Sequence, residues 1–198
     1  MIFERFFFQR VVNHRAMNRC DKPRPNTNIY GLPLEECRNE NDPNDIYGSW
    51  DEEGKCSNRG ERDPGVHQIC FRLKEDTKNF SGLTGQSNWS AGREGKPHCV
   101  CVGAWSLYKA RQRNPDETID NDIVVTQSSN ELKCSAIPES ALSNEYLQNW
   151  KTWNNYEKKF KLDQNYQIAV DDLVEQCARQ APNQNAREHL EGLATCIG

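Results

Sequence analysis

Two cysteines separated by one residue, Cys99 and Cys101, lie in the short apolar run HCVCVGAW in the middle of a polar chain. If this run is a β-strand, alternation places both thiols on one face and Val100 and Val102 on the other. Two residues along a strand separate the α-carbons by about 6.6 Å, the upper limit for a disulfide, so a bond between the two sulfurs is disfavoured. Each thiol would instead pair with a distant cysteine, bind a soft metal such as zinc, or fill the core.

A structural zinc site is one use for these sulfurs, because the chain has nine cysteines in total. Four ligands would complete such a site and hold long loops in place. The candidate ligands are Cys37, Cys56, His67, Cys70, Cys99 and Cys101. Their spacing is not that of paired Cys-x-x-Cys units, so buried thiols with one or two disulfides are the alternative to zinc. In either case we expect Cys99 and Cys101 to be buried near Cys70 or Cys37.

A disulfide is also predicted near the end of the chain. Cys177 and Cys196 fall on neighbouring predicted helices joined by a short turn, and we expect them to form a bridge if the compartment is oxidising. Because nine is an odd number, at least one thiol stays free or pairs outside the chain.

Motifs for catalysis are weak in this sequence. It has no Gly-x-Ser-x-Gly, phosphate-binding loop, dinucleotide fingerprint or His-Glu-x-x-His. His67 and Cys70 have the residue types of a base and a nucleophile, but a separation of three along a strand points them to opposite faces. The acidic residues of the surrounding polar loops are predicted to face water, and they are Asp51, Glu52, Glu53, Glu61 and Asp63. We therefore predict no catalytic residue, no enzymatic activity and no cofactor beyond the zinc considered above.

Composition and charge exclude several classes of protein. The chain of 198 residues has a net charge of −4 and no basic stripe after residue 25. Nucleic-acid binding depends on Lys and Arg that neutralise phosphates, so it is disfavoured. The mean hydropathy is −0.93 and no apolar run approaches the length of a membrane span. The chain is not predicted to cross a membrane by itself.

The first twenty residues differ from the rest of the chain. Four arginines, at positions 5, 10, 15 and 19, accompany a single acidic residue, and apolar residues recur at nearly helical spacing. Such a segment is typical of a mitochondrial presequence, and a retained one would contact a partner or a membrane surface through residues 1–20. An ordinary docking helix is the alternative. Prolines 23, 25 and 33 then predict an extended hinge, so residues 1–27 form the first predicted region.

Residues 28–142 are predicted to form a small α+β domain with a short sheet. The predicted strands are Gln68–Leu73, Cys99–Ala104, Ile123–Gln127 and Leu132–Ile137, chosen for alternating or β-branched residues between turn formers. Short helices are expected at Lys74–Phe80 and Trp105–Gln112. The loops between them are long and rich in Gly and Asn, which requires a bridge, a metal or a partner to order them.

Residues 143–198 are predicted to form a helical extension. The first helix would carry an aromatic stripe made of Leu142, Tyr146, Trp150, Trp153 and Phe160. A second helix is expected over Tyr166–Ala181, ended by Pro182, and a third short helix would carry Leu190, Leu193 and Cys196. The stripes would pack on the domain, although large aromatic residues also suit a subunit interface.

Several segments, read together, resemble a known family. They are NIYGLPLEEC, GSWDEEGKC, DPGVHQIC, HCVCVGAW and DIVVTQSSNELKCSAIP. Their order is similar to that of the bacterial family named domain of unknown function 2237, over about residues 28–142. The matching positions are Gly31, Pro33, Leu34, Cys37, Cys56, Gly65, His67, Cys70, Cys99, Cys101 and Trp105. His98 stands where members of that family usually carry Trp. The resemblance implies no activity, and its cytosolic bacterial members imply reduced thiols rather than secretory disulfides.

Two functional hypotheses follow from these observations. The first is a non-catalytic accessory subunit of a mitochondrial multi-protein complex, most consistent with a respiratory membrane complex and peripheral to the inner membrane. Its partners would be other protein subunits, contacted through both extensions. The alternative is a self-contained zinc-binding or thiol-redox protein that uses the cysteine-rich face.

Overall fold

The protein is described here from a computed structural model that covers residues 20–38, 53–57, 63, 65–73, 80–113, 131–154, 159–161 and 166–197. Its regular elements are, in order, β1 (Ile69–Arg72), α1 (Phe80–Leu83), β2 (Pro97–Val100), α2 (Val102–Arg113), α3 (Leu147–Lys151), β3 (Thr152–Asn154), β4 (Lys159–Lys161), α4 (Tyr166–Gln180) and α5 (Gln184–Ala194). The predicted α+β class with a short sheet and a C-terminal helical part is confirmed. Within these ranges, no helix combines the length and the apolar character that a membrane crossing requires.

An antiparallel hairpin of β1 and β2 lies at the centre of the fold. Cys70 is directly opposite Cys99, and Phe71 is opposite His98. Three residues of β1 and all four of β2 are buried, as expected for apolar strands covered on both faces. The strand predicted over Gln68–Leu73 is therefore confirmed, with one residue fewer at each end.

The second predicted strand, Cys99–Ala104, is only partly correct. The strand ends at Val100 and helix α2 begins at Val102, so Cys101 lies between the two elements. Helix α2 can begin this early because Gly103, in its first turn, has no side chain. A Cβ at this position would be 2.8 Å from the main-chain oxygen of Asn149, which belongs to α3. The thiols of Cys99 and Cys101 consequently do not share a strand face.

An aromatic cluster fixes α2 against the hairpin. The ring of Phe71 lies 5.0 Å from that of Trp105, 5.2 Å from Phe80 and 5.5 Å from Tyr108, measured between centroids. All four side chains have no exposed surface. Packing of large rings at these separations stabilises beyond the area that it buries. The helix predicted at Trp105–Gln112 is thus present and begins three residues earlier.

The predicted strand Leu132–Ile137 was not found as such. The segment Leu132–Ile137 pairs with β1 only through a bridge between Leu132 and Phe71, and a 3-10 helix then occupies Cys134–Ala136. The strand prediction for this segment was wrong, because apolar residues can be buried in a turn or a 3-10 helix as well as in a strand. The predicted strand Ile123–Gln127 lies outside the described residues. So does most of the predicted helix Lys74–Phe80, of which only Phe80 is described, as the first residue of α1.

The long aromatic helix predicted after residue 142 is replaced by short elements. Two 3-10 helices, Glu139–Leu142 and Asn144–Tyr146, lead into the five residues of α3, and Trp153 then pairs with Phe160 between β3 and β4. Trp150 and Trp153 are buried, and their indole N–H groups donate to the main-chain oxygens of Ala141 (2.8 Å) and Thr84 (2.6 Å). These aromatic residues belong to the protein's own core.

Helices α4 and α5 follow the sequence prediction closely. Helix α4 ends at Gln180, one residue before the expected end, and Asn183 caps α5 by accepting a hydrogen bond from the N–H of Ala186 at 3.0 Å. Ala169, Val170, Leu173 and Cys177 line the buried face of α4, which packs against α2. One continuous core therefore includes residues from both sides of the predicted boundary at residues 142 and 143.

Four disulfides connect distant parts of the chain: Cys20–Cys196, Cys37–Cys70, Cys56–Cys99 and Cys134–Cys177. The predicted bridge between Cys177 and Cys196 was wrong. Cys177 lies on the face of α4 that packs against the 3-10 helix containing Cys134, whereas Cys196 lies beyond the end of α5. The short connection between α4 and α5 does not determine which face of α4 carries the Cys177 sulfur.

Candidate functional site

The thiol of Cys101 is the only one of the nine cysteine sulfurs that is not in a disulfide. Its residue is 4% exposed and lies at the junction of β2 and α2. The main-chain oxygen of Cys101 accepts from the N–H of Trp105 at 2.9 Å, the first hydrogen bond of the helix. The thiol is thereby held at the positive end of the α2 dipole, where a developing negative charge is stabilised.

An imidazole contacts this thiol directly. The Sγ atom of Cys101 lies 3.0 Å from Nε2 of His67. On the other side of the ring, Nδ1 lies 2.6 Å from a carboxylate oxygen of Asp63. Because two acceptors would repel at that distance, Nδ1 carries a proton and Nε2 is the acceptor that faces the thiol. The three side chains form a connected Cys–His–Asp arrangement.

The orientation of His67 is fixed by both oxygens of the carboxylate. Asp63 Oδ1 contacts the ring, and Oδ2 accepts from the main-chain N–H of His67 at 2.8 Å. The Asp63 side chain is only 1% exposed, whereas that of His67 is 23% exposed. A buried carboxylate that contacts both the ring and the main chain of His67 restricts rotation of the ring, which is what a positioned general base requires.

A strained turn brings His67 to the thiol. The oxygen of Val66 accepts from the N–H of Gln68 at 2.9 Å and from that of Val102, at the start of α2, at 3.2 Å. Val66 itself has a φ of +55°, an outlier for a β-branched residue and a conformation that costs about 1–3 kcal/mol. Strain of this kind is retained where the surrounding structure determines the geometry, and here it lies beside the Cys–His contact.

The main chain at Gly65 packs closely against the thiol. A Cβ built there would overlap the sulfur of Cys101 and would be 3.1 Å from Cε1 of His67. Any other residue would therefore place its side chain against the sulfur and the imidazole ring. Of the three side chains, that of His67 is the one with substantial exposure, at 23%.

The charge state of the thiol follows from its surroundings. Burial raises the pKa of the Cys101 thiol above its ordinary range, the negative charge of Asp63 raises it further, and a hydrogen bond with its own main chain lowers it. Burial outweighs the helix dipole, so the resting thiol is protonated at neutral pH. Chemistry at this sulfur would then require that His67 take up the proton as the sulfur reacts, as in a hydroxyl-based triad.

The six residues proposed from the sequence as zinc ligands fall into two separate groups. Cys37 is bonded to Cys70 and Cys56 to Cys99, while His67 and Cys101 contact each other. The pairing of His67 with Cys70 as base and nucleophile was not found, since the Cys70 sulfur is oxidised. Asp63 was expected to face water, and this prediction was wrong because its carboxylate is satisfied inside the 63–67 turn.

Only part of this arrangement was accessible from sequence. His67 and Cys101 were both singled out, but as metal ligands, and Asp63 was assigned to the acidic residues that face water. A signal existed in the segment DPGVHQIC, where Asp63 precedes His67 by four residues with Pro64 and Gly65 between them. Such a turn allows an Asp side chain to accept from main-chain and ring N–H groups that follow it. The contact with Cys101, 34 residues away, had no local signal.

A second cluster of sulfurs lies on the central hairpin. The sulfur atoms of Cys37, Cys56 and Cys70 all lie within 4.8 Å of one another, and all three residues are buried. Because each belongs to a disulfide, none offers a thiolate to a metal in this state. Comparison of the chain with protein-family models, with curated proteins and with solved structures found no match, so the resemblance described above stays a prediction.

Proposed function

We propose that this protein is a cysteine-dependent enzyme that forms a covalent intermediate on Cys101. The observation that carries the proposal is the connected chain of thiol, imidazole and carboxylate, with contacts of 3.0 Å and 2.6 Å. A thiol, a base within hydrogen-bond reach and a third group that orients the base are the features of an activated nucleophile. The sequence had predicted no enzyme, so this proposal departs from that prediction.

The roles of the three residues follow from their positions. The sulfur of Cys101 attacks an electrophilic acyl carbon while its proton passes to Nε2 of His67. The charged imidazole that results is stabilised by Asp63, and it returns the proton to the leaving group, which leaves a thioester on Cys101. Water or another acceptor then cleaves the thioester with His67 again accepting a proton, which restores the thiol.

The substrate is proposed to be a small acyl compound. Cys101 is only 4% exposed, and the main chain at Gly65 packs closely against its sulfur. A bulky chain could not reach a sulfur covered in this way without movement of the 63–67 turn. The buried position also supports retention of a free thiol beside four disulfides, since exposed thiols are oxidised or exchanged first.

The compartment proposed for this chain is an oxidising one, because stable disulfides form and persist there. An accessory role in a mitochondrial respiratory complex, and membrane contact by residues 1–20, stay predictions. The aromatic stripe no longer supports the accessory role, since Trp150 and Trp153 pack in the protein's own core. Residues 1–19 lie outside the described residues.

An active-ester burst tests the proposed enzyme. Under non-reducing conditions p-nitrophenyl acetate should release about one equivalent of p-nitrophenol per chain in the first turnover, with the acetyl group located on Cys101 by mass spectrometry. Cys101→Ala should show no burst. His67→Gln should slow acylation by about 100-fold or more, because general acid–base assistance contributes at least that much.

The matched control is His189→Gln, since His189 also lies near a buried carboxylate, with Nε2 3.8 Å from Glu139, and its ring contacts Arg24 rather than the thiol. It should keep the burst of the unchanged protein. Acetylation that is equally fast in the His67→Gln variant, or that appears only when the protein is unfolded, would show that Cys101 is a buried structural thiol.

A further inference from the structure

Four of the cysteines form a compact set on one face of the central hairpin. Cys70 and Cys99 are directly opposite each other in β1 and β2, so their side chains project from the same face. Cys37 and Cys56 cover that face from two loop segments and are bonded to Cys70 and Cys99, respectively. The bonds join sulfurs at 2.08 Å within each pair, and the pairs themselves are neighbours, because the sulfur of Cys56 lies within 4.8 Å of both sulfurs of the other pair.

This arrangement is close to a tetrahedral thiolate site in its dimensions. Zinc bound by four cysteines has Zn–S distances of about 2.3 Å, which corresponds to sulfurs about 3.8 Å apart. The sulfur of Cys56 lies within 4.8 Å of those of Cys37 and Cys70, and Cys99 is bonded to Cys56. Reduction of the two bonds would let the bonded sulfurs separate toward the spacing that zinc requires.

The backbone holds the four residues together without the disulfides. Two cysteines belong to one antiparallel hairpin, and the N–H of Cys37 donates to the oxygen of Gly54 at 2.8 Å, which joins the two loop segments to each other. Next to Cys37 in the chain, the guanidinium group of Arg38 packs against Gly54, two residues before Cys56. The same guanidinium group forms an ion pair with the carboxylate of Glu36 at 3.0 Å.

Burial makes this site suited to a metal once it is reduced. Cys37, Cys56 and Cys70 are at most 1% exposed, and Cys99 is 7% exposed. Reduction would leave four buried sulfur atoms that lie near each other without a bond. A bound zinc ion would deprotonate all four and replace the cross-links that reduction removes.

We propose that the reduced chain binds one zinc ion through Cys37, Cys56, Cys70 and Cys99, so that this cluster alternates between two disulfides and a zinc site. A dithiol reductant supplies two electrons and two protons to each disulfide and is itself oxidised to a disulfide. The four thiols then bind Zn²⁺ and release four protons. His67 and Cys101 are not ligands in this site, and the proposal is independent of the enzymatic role of Cys101.

The test uses the full chain, reduced without oxygen by a phosphine that does not compete strongly for zinc. The reduced protein should bind about one Zn²⁺ per chain with the release of about four protons. The oxidised protein should bind no Zn²⁺ at these four cysteines. X-ray absorption should show sulfur neighbours at about 2.3 Å. Co²⁺ in place of zinc should give the intense thiolate-to-metal absorption of a tetrahedral sulfur site.

Two variants locate the site. Cys56→Ser should abolish stoichiometric zinc uptake by the reduced chain. The control is the double variant Cys134→Ala with Cys177→Ala, which removes two cysteines outside the proposed site. Its reduced chain should still bind zinc with the same sulfur coordination. If reduced apoprotein is unfolded, recovery of its circular dichroism on addition of zinc supports the proposal. Absence of stoichiometric zinc in the reduced chain, retention of full affinity by Cys56→Ser, or loss of zinc in the control would overturn it.

Discussion

Removal of the Cys134–Cys177 disulfide should lower the free energy of unfolding by about 4 kcal/mol. The bond closes a loop with a sequence separation of 43 residues. In the chain-entropy description, a loop of that length loses about 13 cal/mol/K in the unfolded state, which is about 4 kcal/mol at 25 °C. Domains of ordinary stability unfold with only about 5–15 kcal/mol, so this is a large share of the total.

The structure also provides an internal comparison for that magnitude. The Cys56–Cys99 disulfide closes a loop of the same separation, 43 residues, in another part of the fold. If restriction of the unfolded chain is the dominant effect, replacing either pair by Ala should cost about the same. Near Cys134 the side chain of Gln180 also donates to the oxygen of Leu132 at 3.0 Å, so α4 keeps a polar attachment after the sulfurs are removed.

Urea denaturation followed by tryptophan fluorescence measures both double variants, in a Cys101→Ala background that prevents thiol–disulfide exchange. We expect lower transition midpoints for both. A loss below about 1 kcal/mol for the Cys134–Cys177 pair would refute the loop-entropy reasoning. Losses that differ between the pairs by more than about 2 kcal/mol would show instead that native packing at one site dominates.

Two further predictions concern packing and ionisation. Gly103→Ala should lower the free energy of unfolding by about 1–3 kcal/mol, because the added Cβ would be 2.8 Å from the main-chain oxygen of Asn149. This loss should exceed the gain from the higher helix propensity of Ala. Thermal unfolding measures the effect, and an unchanged or higher melting temperature would contradict the close approach. Burial raises the pKa of Tyr30, whose hydroxyl donates to the oxygen of Cys177 at 2.7 Å. The Tyr30 hydroxyl therefore loses its proton at lower pH in the unfolded chain than in the folded one. Above pH of about 10 the free energy of unfolding should fall by up to about 1.4 kcal/mol per pH unit. Urea denaturation at several pH values measures this slope, and Tyr30→Phe should reduce it.

Local periodicity was sufficient for some elements of this fold. The apolar residues of α4 recur at helical spacing and Pro182 follows its end, so the predicted and observed helices differ by one residue. Strand β1 is similar, because alternation over Gln68–Leu73 describes a short buried strand whatever its partner is. In both cases the signal lies within the element itself.

Periodicity was misleading where tertiary contacts decide the backbone. The large apolar residues of segment 142–160 recur at helical spacing, yet the chain forms 3-10 helices, the short helix α3 and the paired strands β3 and β4. They are Leu142, Tyr146, Trp150, Trp153 and Phe160. The indole N–H groups of Trp150 and Trp153 each reach a specific main-chain oxygen, which a straight helix would not allow together. Helical propensity is worth only tenths of a kcal/mol per residue and gives way to burial of two large side chains.

The sequence by itself determined the α+β class, the positions of β1 and α4, and the importance of His67 and the cysteine-rich segments. Only the tertiary structure decided which sulfurs are bonded and that Cys101 faces His67 and Asp63. Secondary structure depends on neighbours a few residues apart, whereas a disulfide or a Cys–His contact requires two distant segments to meet within about 3 Å. That condition depends on how every intervening element packs, and no spacing within a single segment encodes it.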